Sequence, residues 1–404
     1  MKSYFSERRG VSLDPIMALD ELFRKDPASN KINLVVGVFQ NHHGETPVLG
    51  CVKAAEARLN SNEHSKAYLP IAGDPAFLNA VESLIFGPDL NKTVQVSSLQ
   101  TPGSTAALRI AAEFVREHNT DATVWVSKPA YSNHKPIFQA AGLRVGDYRY
   151  YDVEEGRLTF DEMIADLSSA PPGDVVLLHA CCHNPTGADL SLDQWRSLAR
   201  LLRERSLLPL LDAAYLGLRS DVESDAAGIR ELVRLCPDTM VAASFSKNFA
   251  LYSERVGTLS MAGQRRAEVL SAVEKAKVLA RIMYTSPPSH GARLIAEILT
   301  DHTLRMQWMK ELVAMRDKLI EVRLHLADGL DMRGVGPRVF PSLRQNRGMF
   351  TLSTLTSAEV SRLRERHHVY ILENGRVSFG GMRRSDIVRI CDGLSDVITT
   401  RAAA

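Results

Sequence analysis

Residues 175–212 read VVLLHACCHNPTGADLSLDQWRSLARLLRERSLLPLLD. The stretch opens and closes on short apolar runs, Val175–Cys181 and Leu208–Leu211. Neither run has polar alternates, which is the pattern of strands covered on both faces. Between them, Ser191 offers a side-chain oxygen to the free amides of a helix start. Trp195, Leu198, Leu201 and Leu202 then recur at helical spacing. Strand–helix alternation predicts an α/β domain with a mostly parallel sheet.

Runs of the same kind flank this unit: Val124–Ser127, Met240–Phe245 and Val256–Met261. Upstream, Asp14 and Pro15 predict a helix start, since Asp caps free amides and Pro needs no donor there. Ile16, Leu19, Leu22 and Phe23 follow as one apolar face. An extended run, Asn33 to Phe39, then enters a polar turn, Gln40 to Glu45. The character changes after Pro287-Pro288. From Leu304 to Leu326 the residues Trp308, Leu312, Met315, Leu319 and Val322 predict one long helix. Beyond it, helix and short strands mix, which predicts a second, smaller domain built from both chain ends. The expected division is an arm at 1–13, a small domain at 14–46 and 316–404, and a large domain at 47–315.

With 404 residues the chain exceeds one ordinary core. Its 45% hydrophobic and 24% charged content is that of a globular chain, not of a disordered one. A net charge of +2, from 49 basic and 47 acidic residues, gives no electrostatic case for nucleic acid or an anionic membrane. No stretch approaches the roughly 20 apolar residues of a membrane span, and MKSYFSERRG turns charged too early for a signal peptide. Five cysteines, an odd number with no C-x-x-C pair, predict a reduced, cytoplasmic protein.

The sharpest chemical signal is SFSKNF, Ser244 to Phe249. A lysine directly after a buried strand bears a charge that burial penalises. It is either a surface residue at a strand end or a Schiff-base lysine whose depressed pKa makes it nucleophile and base. The second reading asks for an aldehyde cofactor, pyridoxal 5'-phosphate. Such a cofactor needs a carboxylate facing its ring nitrogen, and LLDAAY places Asp212 at a strand end with Tyr215 three residues on. It needs an anion cradle, and Gly103, Ser104 and Thr105 precede a helical run whose amides and dipole favour a phosphate. Arg255, just before a strand, suits bidentate pairing with that phosphate. HNPTG, His183 to Gly187, adds Asn184 in a turn. Each signal alone is also a common turn or cap. In this order along one chain they constrain one another.

The chain resembles the PLP-dependent class I aminotransferases of the aspartate and aromatic group, a fold type I family. The resemblance runs from DPIMAL through INLVVGVFQ, AYLPIAGDP, QTPGSTAALR, NHKPIF, CCHNPTGADL, LLDAAYLG, SFSKNF, ERVG, YTSPP and NRGMF to GRVSFGGM. It implies that Lys247 joins the cofactor aldehyde and shuttles the proton. Asp212, backed by His134, would hold the ring nitrogen, with Asn184 and Tyr215 on the ring oxygen. Gly103, Ser104, Thr105, Ser244, Ser246 and Arg255 would hold the phosphate, with Tyr68 reaching over from a second subunit. Arg376 would clamp the substrate α-carboxylate beside Asn184, Gly37 and Phe350. Arg281 would bind a distal carboxylate across a homodimer interface. The implied substrates are an amino acid and a 2-oxo acid.

Several positions depart from the family pattern. Tyr131 stands where a tryptophan usually stacks on the ring, Phe39 replaces a tyrosine, and Leu216 replaces a glutamine. Ala67 and Ser286 look like the aromatic-accepting members, and a less polar site suits a bulky side chain. The departures also suit a specialised substrate, and a lyase or decarboxylase would use the same cofactor residues. A regulatory protein on this scaffold would need a basic DNA-binding module, for which no segment is available. Cys181, Cys182 and His183 near His179 are not read as a metal site, because adjacent residues on a strand point to opposite faces. His42 and His43, in the polar turn, are read as solvent-facing.

Overall fold

The computed structural model describes residues 14–90 and 94–402. The expected arm at 1–13 lies outside the described residues. Seven strands form the central sheet: β1 (Gln95–Thr101), β2 (Thr123–Lys128), β3 (Arg144–Arg149), β4 (Val175–His179), β5 (Leu208–Ala213), β6 (Asp238–Ser244) and β7 (Gly257–Gly263). Their spatial order is β1-β7-β6-β5-β4-β2-β3. Strands β3, β2, β4, β5 and β6 run parallel to their neighbours, and β7 lies antiparallel between β6 and β1. The mostly parallel α/β sheet expected from residues 175–212 is present. Every residue of β4 and of β7 is buried, as unbroken apolar or small-residue runs require.

Ser191 caps the helix α1 (Leu192–Glu204) in a reciprocal box: its hydroxyl accepts from Gln194 N, while the Gln194 side chain accepts from Ser191 N. Trp195, Leu198 and Leu202 are the buried face of that helix. Asp14 likewise accepts from the amides of Ile16 and Met17. In the helix it starts, Pro15–Lys25, Leu19 is buried but Leu22 is half exposed, so the apolar face is narrower than the spacing suggested. The long helix α2 (His302–Asp331) buries Trp308, Leu312, Met315, Leu319 and Val322.

Two small ladders lie outside the central sheet, the first joining the two ends of the chain. Ile32–Asn33 pairs in parallel with Val369–Tyr370. Strands β8 (Phe350–Leu352) and β9 (Arg376–Ser378) pair antiparallel. The extended run beyond Asn33 does not continue as strand. Its carbonyls are taken individually: Leu34 O accepts from Ser378 N, Val36 O from Ser378 Oγ, and Val35 O from Arg376 Nη2. All five cysteines are buried free thiols. Among the described residues, no helix is long and apolar enough to cross a membrane.

Candidate active site

In parallel α/β sheets, ligands bind beyond the carboxyl ends of the strands. Here a cavity of about 150 Å³ lies at those ends. It is lined by Gly37, Ser104, Thr105, Tyr131, Asn184, Asp212, Tyr215, Lys247, Phe350 and Arg376, joined by Ile16, His179 and Ala214. Asp212 arrives on β5, directly opposite His179 of β4 in the parallel register. Lys247 follows β6 by three residues. Its Nζ sits 5.6 Å from the centre of the Tyr215 ring. Burial pushes its pKa below that of an ordinary lysine, with Arg255 adding to the effect and Asp212 opposing it. A lysine poised toward its neutral form is a nucleophile and a base.

Asp212 is buried, and its Oδ2 shares a 3.0 Å hydrogen bond with His134 Nε2. Burial alone would raise its pKa; the bond and charge of His134 outweigh that and hold the carboxyl ionised. Among the described residues its Oδ1 has no hydrogen-bond partner. A buried carboxylate oxygen beside a cavity calls for a cationic N–H, which is what a protonated ring nitrogen supplies. The adjoining His179 is driven down to about 3, chiefly by burial, and is therefore a neutral imidazole. Ligand atoms of His134, His179 and Asp212 lie within 4.8 Å of one another, and the His134–Asp212 bond already engages two of the three.

The anion end is built from a helix start. Gly103 opens the helix Gly103–His118 with φ of +80°, where a Cβ would come within 2.5 Å of Arg255 Nη2. Only glycine lets the guanidinium lie against the helix start. Arg255 Nη1 donates to Ser246 Oγ at 3.4 Å and to Tyr252 O at 3.2 Å, and Nη2 reaches Pro102 O at 3.5 Å. Ser244 Oγ donates to Ser246 Oγ at 3.1 Å. First-turn amides, hydroxyls and one cation together fit a phosphate. At the opposite end, Arg376 is buried: Nη2 donates to Val35 O at 2.7 Å and Nη1 to Asn184 Oδ1 at 3.3 Å. Its guanidinium lies 4.5 Å from the Phe350 ring centre, while Nε is left without a partner. The residues thus fit a phosphorylated ring aldehyde between Gly103 and Asp212, with a carboxylate at Arg376.

The family model described as aminotransferase class I and II matches residues 29–394. The chain belongs to this family. Its relatives include the aspartate aminotransferase of Escherichia coli strain K12, 42% identical over 98% of this chain and 100% of that protein. The aromatic-amino-acid aminotransferase of the same organism is 38% identical, covering 95% of this chain and 98% of that one. Among solved structures, an aromatic-amino-acid aminotransferase from Burkholderia pseudomallei, covalently bound to pyridoxal phosphate, superposes with a TM-score of 0.94 at 38% identity. That match covers 98% of this chain and 99% of the other.

Of the expected site residues of this aminotransferase, Gly103, His134, Ser244, Ser246 and Arg255 stand behind the lining through the contacts given above, whereas Tyr68 and Arg281 lie apart from the cavity. Tyr68 is 90% exposed, and Arg281 is exposed on the helix Arg266–Tyr284. His42 and His43 are exposed, as their polar turn suggested. Reading the sequence did not single out Ile16, Ala214 or His179 as lining residues. The register of β4 with β5 is the signal that places His179 beside Asp212.

Proposed function

We propose that this protein moves the α-amino group of an L-amino acid, aromatic or acidic, to 2-oxoglutarate. The observation that carries the reading is a buried Lys247, its pKa lowered by that burial, sharing one cavity with Asp212 and the buried Arg376. Pyridoxal phosphate is the cofactor; it supplies an aldehyde and a ring that withdraws electrons from the substrate Cα. Lys247 Nζ would take the proton from the substrate Cα and would deliver it to the cofactor's aldehyde carbon, on the far side of the amino nitrogen. Asp212, oriented by His134, would hold the ring nitrogen in its charged form. Arg376, steadied by Asn184 and Val35 O, receives the α-carboxylate. The donor leaves as a 2-oxo acid before the acceptor binds, a ping-pong order.

Tyr68 and Arg281 act from a second copy. Each is exposed here, and the helix bearing Arg281 also exposes Val278, Ile282 and Met283. A homodimer with shared sites accounts for both facts. Arg281 of the second copy would receive the distal carboxylate of an acidic substrate. Tyr131, smaller than the usual tryptophan, lines the cavity and leaves room for an aromatic donor, whereas Phe39 and Leu216 are buried outside that lining. The division we propose is a small domain at 14–46 with 316–404 and a large domain at 47–315. Five buried thiols suit the reducing cytoplasm.

Borohydride reduction of the holoprotein followed by peptide mapping tests the reading. The expected result is a cofactor-derived tag on Lys247 alone. A tag on another residue, or none in a protein that carries the cofactor, refutes it.

A further inference from the structure

Two cations lie inside the apolar side of α2. Lys318 is 4% exposed and Arg323 1% exposed, among Met315, Leu319, Val322 and Leu326. Their partners are carbonyl oxygens and ring faces rather than carboxylates. Burying an unpaired cation is costly, and apolar residues of like volume are often as stabilising or more so. Stability therefore does not explain them, and their contacts do.

Arg323 Nη2 donates to Gly348 O at 2.9 Å and to Phe350 O at 3.1 Å. Its guanidinium lies 4.1 Å from the centre of the Phe379 ring, near enough for a cation–π contact. Phe379 N in turn donates to Met349 O at 2.8 Å. Arg323 thus grips the start of β8 and the residue that follows β9. Lys318 Nζ donates to Met382 O at 2.6 Å, Gly380 O at 3.2 Å and Phe379 O at 3.4 Å, and lies 5.6 Å from the Phe39 ring centre. Gly380 O also accepts from Gln40 N at 2.9 Å. The turn held by Lys318 is therefore sewn to the segment that carries Gly37 and Val35.

Both routes end at one guanidinium. Phe350 lies under Arg376, and Val35 O accepts from it. Gly37 closes against the same ring: a Cβ there would meet Phe350 Cζ at 2.7 Å. We infer that Arg323 and Lys318 are positioning residues that fix the β8–β9 pair and the 34–40 segment, and thereby set how tightly Arg376 holds a substrate carboxylate. This rests on the proposed role of Arg376.

The test uses the holoenzyme and the variants Arg323→Met and Lys318→Met. Succinate, a dicarboxylate without an amine, serves as a probe of binding by calorimetry. For each variant its Kd should rise about tenfold, and KM for the amino donor by a similar factor, while kcat falls less than about threefold. Cofactor content should be unchanged, and Tm should stay within about 4 °C of the unsubstituted protein. Arg323→Lys, which keeps a charged donor, should bring Kd back to within about threefold. Unaltered Kd and KM in the Met variants would overturn the inference. So would a failure of both to fold, which would make the cations parts of the core. An unsubstituted enzyme that neither binds succinate nor transaminates would instead remove the proposed function.

Discussion

Asp212 commits one carboxylate oxygen to His134 and leaves the other buried without a partner. Asp212→Asn keeps the shape and removes the charge, so the amino-donor half-reaction should slow by about 10²–10³-fold in stopped-flow absorbance, with folding intact. The pH dependence has a definite sign. The folded carboxyl titrates below its ordinary 3.8, so its contribution is present above that value and lost as pH falls through the folded one. Acid unfolding curves of the protein and of Asp212→Asn should therefore converge only below about pH 4. Lys247→Ala removes nucleophile and base together, and single-turnover rates should fall by at least about 10⁴-fold. Lys247, Asp212, Asn184 and Arg255 were readable because their motifs, each common alone, constrain one another in order along the chain, and Arg376 was readable through the family resemblance. Arg323 and Lys318 were not, since a cation in an amphipathic helix looks solvated until the neighbouring turns fold over it.

The element that joins these cations, α2, yields a titration of its own. Burial pushes Lys318 down to about 8, against the pull of Glu321 and Asp386. Between about pH 8 and its ordinary 10.5, the unfolded chain holds a proton that the folded chain has released, so folding gains as pH rises. In urea titrations, the stability of the protein relative to Lys318→Met should therefore increase from about pH 8 to about pH 10. The helix α1 gives a simpler check. Ser191→Ala removes half of the capping box and should lower stability by about 1 kcal/mol with no change in kcat. Interior strands were legible because burial on both faces leaves unbroken apolar runs. The outer strands β1 and β3 were not, since QVSSLQT and RVGDYR mix polar residues into partly covered positions. The run after Asn33 had the pattern of a strand, but Leu34 O took a single backbone amide and the carbonyls of Val35 and Val36 took side-chain donors in place of a ladder.

For the molecule as a whole, the proposed homodimer with shared sites makes a quantitative demand. A chain lacking Lys247 and a chain lacking Arg281 should each be poor with aspartate. Exchanged as equal mixtures, they should recover about one quarter of the original sites, because only mixed dimers hold one complete set. Arg281 acting within its own subunit would give no recovery. The proposed sharing came from the family resemblance and not from spacing or periodicity, which describe one chain and leave an exposed helical arginine unmarked. The five thiols have a different use. Sealed in the interior and dispersed from Cys51 to Cys391, they lie out of reach of a maleimide dye while the native packing holds. The pace of labelling should then track excursions to open states, giving the protein a fluorescent clock for its own unfolding with no engineered probe.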